Sequence, residues 1–180
     1  MPFPVAIVGS VFKDNPLGAV EARKIVAKII TQEYAEHGSE LVIVSGGADG
    51  VDTFAEEFAK WNGIATEIFL PENPWWSPNG YKERNIKIAE ACVKLYRVYD
   101  INTKTWGSGF TRHAAEIKGK IVVSMTVGVL QAKWKCKECG DQFAHFRVAK
   151  SETAVKHHVY YMKASQMLER VDQNVNVAAN

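Results

Sequence analysis

The chain has 180 residues, enough for one domain and an appendage. Hydrophobic residues make up 47% and charged residues 23%, a balance that excludes a disordered or fibrous chain. The formal net charge of +2 gives no argument for nucleic acid by itself, three cysteines are too few for a disulfide framework, and no apolar run approaches the roughly 18 residues of a membrane span.

In chain order, the apolar run at residues 5–8 reads as a buried strand ending at Gly9 and Ser10. Residues 1–10 lack a basic stretch and a cleavage pattern, so the expected setting is cytoplasmic. Asn15-Pro16 reads as an N-cap followed by proline at the first helical position, opening a helix that Gly38 ends. Residues 41–44 form a second buried strand, residues 52–62 an amphipathic helix, and residues 66–70 a third strand. A loop rich in proline and tryptophan covers 71–83, and Arg84 begins a short helix to Cys92. Residues 93–99 are a fourth strand, 111–118 a helix and 120–126 a fifth strand. This alternation implies an α/β fold, a Rossmann-like doubly wound parallel sheet with helices on both faces.

After Val127 the pattern changes, which predicts a domain over 1–127 and a small C-terminal appendage over 128–180, a zinc-binding candidate, with a helix over 155–171. Residues 1–127 carry 14 basic and 15 acidic side chains, a net of −1, whereas 128–180 carry 8 and 5, a net of +3. The appendage is therefore mildly basic.

Three short segments follow strand-like runs and meet at the carboxyl-end crevice where open parallel sheets bind ligands. The first, from Ser45 through Gly46, Gly47 and Gly50 to Asp52, is a strand-to-helix turn whose amides suit an anion, or simply a tight turn. Asp52 would cap amides or bond a ribose hydroxyl. The second is Arg84-Asn85, an arginine suited to a phosphate or to a surface pair with Glu83 or Glu90, and an asparagine suited to a hydroxyl or base edge. The third is Ser108-Gly109-Phe110-Thr111-Arg112, a flexible turn with hydroxyls or an ordinary capped helix start. Gly9 and Ser10, at the end of the first strand, complete the candidate ligand set. Trp75 and Trp76 suit base stacking or loop packing.

Together the three segments resemble the SLOG superfamily, the Rossmann-like fold shared by DNA-processing protein A (DprA) and the LOG phosphoribohydrolases, over about residues 5–126. The run from Ile43 to Asp52 is similar to the DprA glycine motif, Arg84-Asn85 stands where that family carries Arg-Asn, and Ser108 to Thr111, followed by Ala114 and the run 119–122, resembles its second motif. The resemblance implies a nucleotide-type pocket, often at a dimer interface, and hence a homo-oligomer. Where LOG enzymes carry Pro-Gly-Gly-x-Gly-Thr-x-x-Glu, this chain lacks the proline, and its next acid is Glu116. Three functions stay open. One is binding of a nucleotide-derived ligand, as a sensor or sequestering module. A second is a nucleoside-monophosphate N-glycosidase in which Arg84 and Glu116 are catalytic. The third is single-stranded DNA binding.

In the appendage, Cys136 and Cys139 are spaced as a zinc knuckle, or stand as two free thiols on a surface turn. His145, His157 and His158 are the candidates for the remaining ligands of a structural zinc.

Overall fold

The structure, a computed structural model, describes residues 1–171. Its main unit is built on β1 (Phe3–Gly9), whose Val5, Ala6, Ile7 and Val8 are all buried because helices cover both faces of the strand. The strands β2 (Leu41–Ser45), β3 (Ala65–Ile68), β4 (Lys94–Asp100) and β5 (Ile121–Val127) complete a wholly parallel sheet in the order β3-β2-β1-β4-β5. Chain progression reverses between β1 and β4. That switch point is where the loops after two neighbouring strands diverge and leave a crevice at their carboxyl ends.

Between the strands run α1 (Pro16–His37), α2 (Val51–Trp61), α3 (Tyr81–Ala91) and α4 (Gly107–Ile117). One core layer joins α1 and α2 to the sheet through Val26, Ile29, Ile30, Val51, Phe54 and Ala55. The other sets Ile88 and Ala89 of α3 and Ala115 of α4 against Ala6, Val8, Val44 and Leu95. The Asn15 side chain accepts the Gly18 N–H at 2.8 Å and Pro16 opens α1, as the sequence predicts. Glu33, buried on α1, accepts hydrogen bonds from Lys94 Nζ at 2.6 Å and Tyr96 Oη at 2.5 Å, which fixes the helix against β4.

Two helix starts differ from the sequence expectation. α3 begins at Tyr81 rather than Arg84, because the Arg84 N–H already reaches the Gly80 carbonyl at 3.1 Å. α4 begins at Gly107, so Gly107-Ser108-Gly109 is the first turn of a helix and not a flexible loop. Intrinsic propensity opposes that start, and burial of Gly109 and Thr111 overrides it.

Among the described residues, the second compact unit comprises Ile101–Trp106 and residues 129–171. Within it β6 (Trp134–Cys136) pairs antiparallel with β7 (Gln142–Phe143) and β8 (Leu168–Arg170), alongside α5 (Phe146–Lys156) and α6 (Tyr161–Gln166). Cys136, Ala149, Met167 and Leu168 form its small core. The helix expected over 155–171 is not present. α5 ends at Lys156, His158 takes the left-handed conformation (φ 51°), and the chain turns through α6 into β8. The run His157-His158-Val159-Tyr160 has low helix propensity, and pairing with β6 recruits the following residues as a strand. The last part of the predicted appendage, 172–180, lies outside the described residues. Among the described residues, no helix is long and apolar enough to cross a membrane.

Candidate functional site

The loop after β2 folds around a carboxylate. Asp52, in the first turn of α2, is buried and accepts the Gly46 N–H at 3.1 Å. The amides of Gly9 and Ala48 also face it. Burial pushes its pKa up to about 6, against the opposing pull of the Arg84 guanidinium and those amides. Asp52 is thus the internal anion of the loop, and the Gly46 amide is already donated to it. The Gly47 N–H is also used, reaching Ser45 Oγ at 3.2 Å. Ser45 Oγ in turn donates to Glu56.

Arg84 reaches in from α3. Its Nη1 donates to the Gly46 carbonyl at 2.6 Å and stands 3.8 Å from Asp52 Oδ2, while the residue is only 9% exposed. Burial lowers its pKa and Asp52 works against that. Among the described residues its Nε is buried without a hydrogen-bond partner. A Cβ at residue 46 would lie 1.8 Å from Arg84 Nη1, so any side chain there would push the guanidinium off the Gly46 carbonyl. Gly50 is required by its φ of 87° and by the Ser10 carbonyl 2.2 Å from where its Cβ would stand.

Ser10 lies in the switch-point crevice. Its Oγ accepts the Asp100 N–H at 3.1 Å, and its carbonyl accepts the Val51 N–H at 3.2 Å. Gly9 packs so closely on β4 that a Cβ would stand 1.8 Å from the Val98 carbonyl. On the α4 side, Asn85 Nδ2 and Thr111 Oγ1 both donate to the Gly107 carbonyl, at 3.4 and 3.2 Å. Ser108 Oγ accepts from Arg97 Nε at 3.2 Å.

The structure therefore gathers Gly46, Asp52 and Arg84 into one cluster, and Asn85, Ser108 and Thr111 into another at the start of α4. Arg112 lies one turn further along α4, and its Nε is 3.5 Å from Glu116 Oε1. Glu116 does not join either cluster. It is nine residues into α4, about 13 Å along the axis from the helix start, and also faces His113 at 3.8 Å.

Two features escaped the sequence reading, Arg97 and Glu56. Arg97 is a fully buried arginine on β4, 1% exposed, and its only sequence signal is a charge inside an apolar strand. Glu56 shares the loop-facing side of α2 with Asp52, a signal present in their four-residue spacing. An apolar rim also borders the loops. Leu70 is 70% exposed, with its Cδ2 2.5 Å from where a Gly47 Cβ would stand. Trp75 is 71% exposed, and Trp76 meets the Phe110 ring edge-on at 4.9 Å.

In the second unit, Cys136, Cys139 and His157 place one ligand atom each within 4.8 Å of one another, so the trio can hold a metal ion. Burial works to raise the Cys136 thiol, but the amides of Cys139 and Glu138 and the Thr153 hydroxyl outweigh it and hold the thiol below its ordinary range. Burial and neighbouring Cys136 and Asp141 raise Cys139. His145 and His158 do not join the cluster among the described residues. His145 stands at the N-terminal end of α5 and His157 just past its C-terminal end, and the left-handed turn takes His158 out of the set.

No protein-family model matches the chain, and no curated protein matches it. Two solved structures share its fold, a Rossmann-like α/β arrangement. One is DNA processing protein A (DprA) from Streptococcus pneumoniae, 24% identical with a TM-score of 0.52, covering 72% of this chain and 52% of its own. The other is TM1055, a structural-genomics target, 19% identical with a TM-score of 0.51, covering 67% of this chain and 72% of its own. The chain thus spans about half the length of DprA.

Proposed function

We propose that the chain binds a nucleotide-derived small molecule at the carboxyl ends of β1, β2 and β4, as a sensor or sequestering module. The observation that carries this is Arg84, a nine-tenths buried guanidinium beside the glycine loop whose Nε has no partner among the described residues. An unmet buried donor costs about 1–3 kcal/mol, more when charged, and an anionic oxygen would satisfy it. Because Asp52 already takes the Gly46 amide, we place the phosphate between Arg84 and the first turn of α4, whose Gly107 carbonyl accepts from Asn85, the residue after Arg84. The Gly46–Gly47 turn then serves as a wall of the pocket. Trp76, half-exposed and propped edge-on by Phe110, offers a ring on which a base can stack.

DprA is by its name a DNA-processing protein, which supports a nucleotide-like ligand here as well. The excess of basic side chains over 128–180 supports single-stranded DNA as the alternative. Turnover as an N-glycosidase is the weakest reading, since Glu116 stands far along α4 and Asp52 is enclosed. Calorimetric titration with AMP, ADP and ADP-ribose tests the first reading. Saturable binding by one of them, lost in Arg84→Ala, is the expected result. Salt-dependent binding of oligonucleotides alone would favour the alternative.

We also assign the Cys136–Cys139–His157 cluster to zinc. Two thiols on one knuckle and an imidazole are a soft donor set that suits this ion, and a reducing cytoplasm would keep the thiols available. The metal would tie β6 to the end of α5, in a unit whose core is too small to hold by packing alone.

A further inference from the structure

A closed structural zinc site has four protein ligands, and the described residues bring only three together. Resting on the zinc assignment above, we propose that the fourth position is exchangeable and takes water or a small exogenous donor such as a thiol or imidazole.

Each neighbouring candidate for the fourth ligand has another place. His145 is separated from His157 by the whole of α5, about 16 Å of helix. His158 sits in the left-handed turn outside the cluster. The Asp141 carboxylate neighbours Cys139 but is held by Lys156 Nζ at 2.6 Å and lies outside the three-ligand cluster. Glu138 faces His157 Nδ1 at 3.6 Å, whereas His157 Nε2 is the atom near Cys136 Sγ, at 3.5 Å. Glu138 is therefore a positioning residue that fixes the ring with Nε2 toward the thiols. The Thr153 hydroxyl is buried beside Cys136 and takes no part in the three-ligand cluster.

Solvent can reach such a position. Cys136 is buried, but Cys139 and His157 are each partly exposed. Three protein donors with one accessible corner are the pattern of zinc sites that bind a ligand, in contrast to sites that only staple a fold.

The test uses the full chain, stripped with chelator and reloaded with Co²⁺, which reports its ligands by absorption. One cobalt per chain with thiolate charge-transfer bands is expected. Adding imidazole or 2-mercaptoethanol should shift the visible bands saturably while the metal stays bound through desalting. Glu138→Gln should weaken cobalt binding about 10- to 100-fold, and Asp141→Asn should leave it unchanged. Bound cobalt whose spectrum no added ligand alters would overturn the exchangeable position while the metal assignment stands. Loss of cobalt in Asp141→Asn would make that carboxylate the fourth ligand and overturn it equally. Failure to retain any cobalt or zinc would remove the metal assignment itself, and the inference with it. Circular dichroism of each variant separates loss of a ligand from loss of the fold.

Discussion

Asp52→Asn tests the electrostatics of the glycine loop. Burial raises the Asp52 pKa from 3.8 to about 6 even with Arg84 beside it. The folded chain therefore holds this proton more tightly than the unfolded chain does. Between about pH 4 and pH 6 the native state binds more protons, so stability falls as pH rises. Below pH 4 the penalty is absent, and above pH 6 it is complete. A shift of about 2 pH units at 1.36 kcal/mol each makes it about 3 kcal/mol. Asparagine keeps a side-chain oxygen for the Gly46 amide and carries no charge. Asparagine's NH2 cannot accept the Gly9 and Ala48 amides, so the variant carries a constant offset from the wild type. Its stability relative to the wild type should rise by about 3 kcal/mol from pH 4 to pH 7. Urea unfolding followed by circular dichroism across pH 4–8 measures the difference, which cancels the other carboxylates. A difference independent of pH, or one that falls as pH rises, would refute the reasoning.

Arg84→Ala should weaken a nucleotide ligand, once one is found by titration, by about 1.5–3 kcal/mol, with lysine restoring only part because it lacks the planar fork. An unchanged Kd in a folded Arg84→Ala protein would remove Arg84 from the site. In Gly46→Ala the new methyl would sit 1.8 Å from Arg84 Nη1, so affinity and stability should fall together, by about 1–3 kcal/mol in stability. Wild-type values for both in a thermal melt and a titration would contradict the packing. Glu116→Gln, on a half-exposed side chain far from the start of α4, should leave nucleotide affinity within about twofold. A tenfold loss would return Glu116 to the site. Chelation should raise amide exchange throughout β6 and α5 while β1, β2 and β4 stay protected, and elemental analysis showing no metal would count against zinc.

The sheet was legible because its strands are short unbroken apolar runs set off by glycines, and Asn15-Pro16 marked the start of α1. Residues 46, 52 and 84 were also legible as a cluster, since the carboxyl edge brings together the segments that follow β2 and β3. Their division of labour was not. A sequence shows that Asp52 and the Gly46 amide are near one another, but not that the carboxylate accepts that amide in place of a ligand. The start of α4 was hidden because Gly107 and Gly109 oppose helix until Gly109 and Thr111 are buried. Arg97 was overlooked because its burial depends on non-local partners such as Ser108. The break near His158 and the strand that follows α6 depend likewise on pairing with β6, which local propensity does not encode.

The central claim is that a nucleotide-derived ligand enters the crevice between the Gly46 loop and the start of α4. Backbone amide NMR of the ¹⁵N-labelled chain, titrated with AMP, ADP and ADP-ribose, tests it directly. The account predicts saturable shifts at Gly107, Ser108, Gly109, Gly47 and Asn85 and at the Trp76 indole, all following one binding curve. Shifts confined to the second unit, or none with any of the three compounds at millimolar concentration, would contradict it.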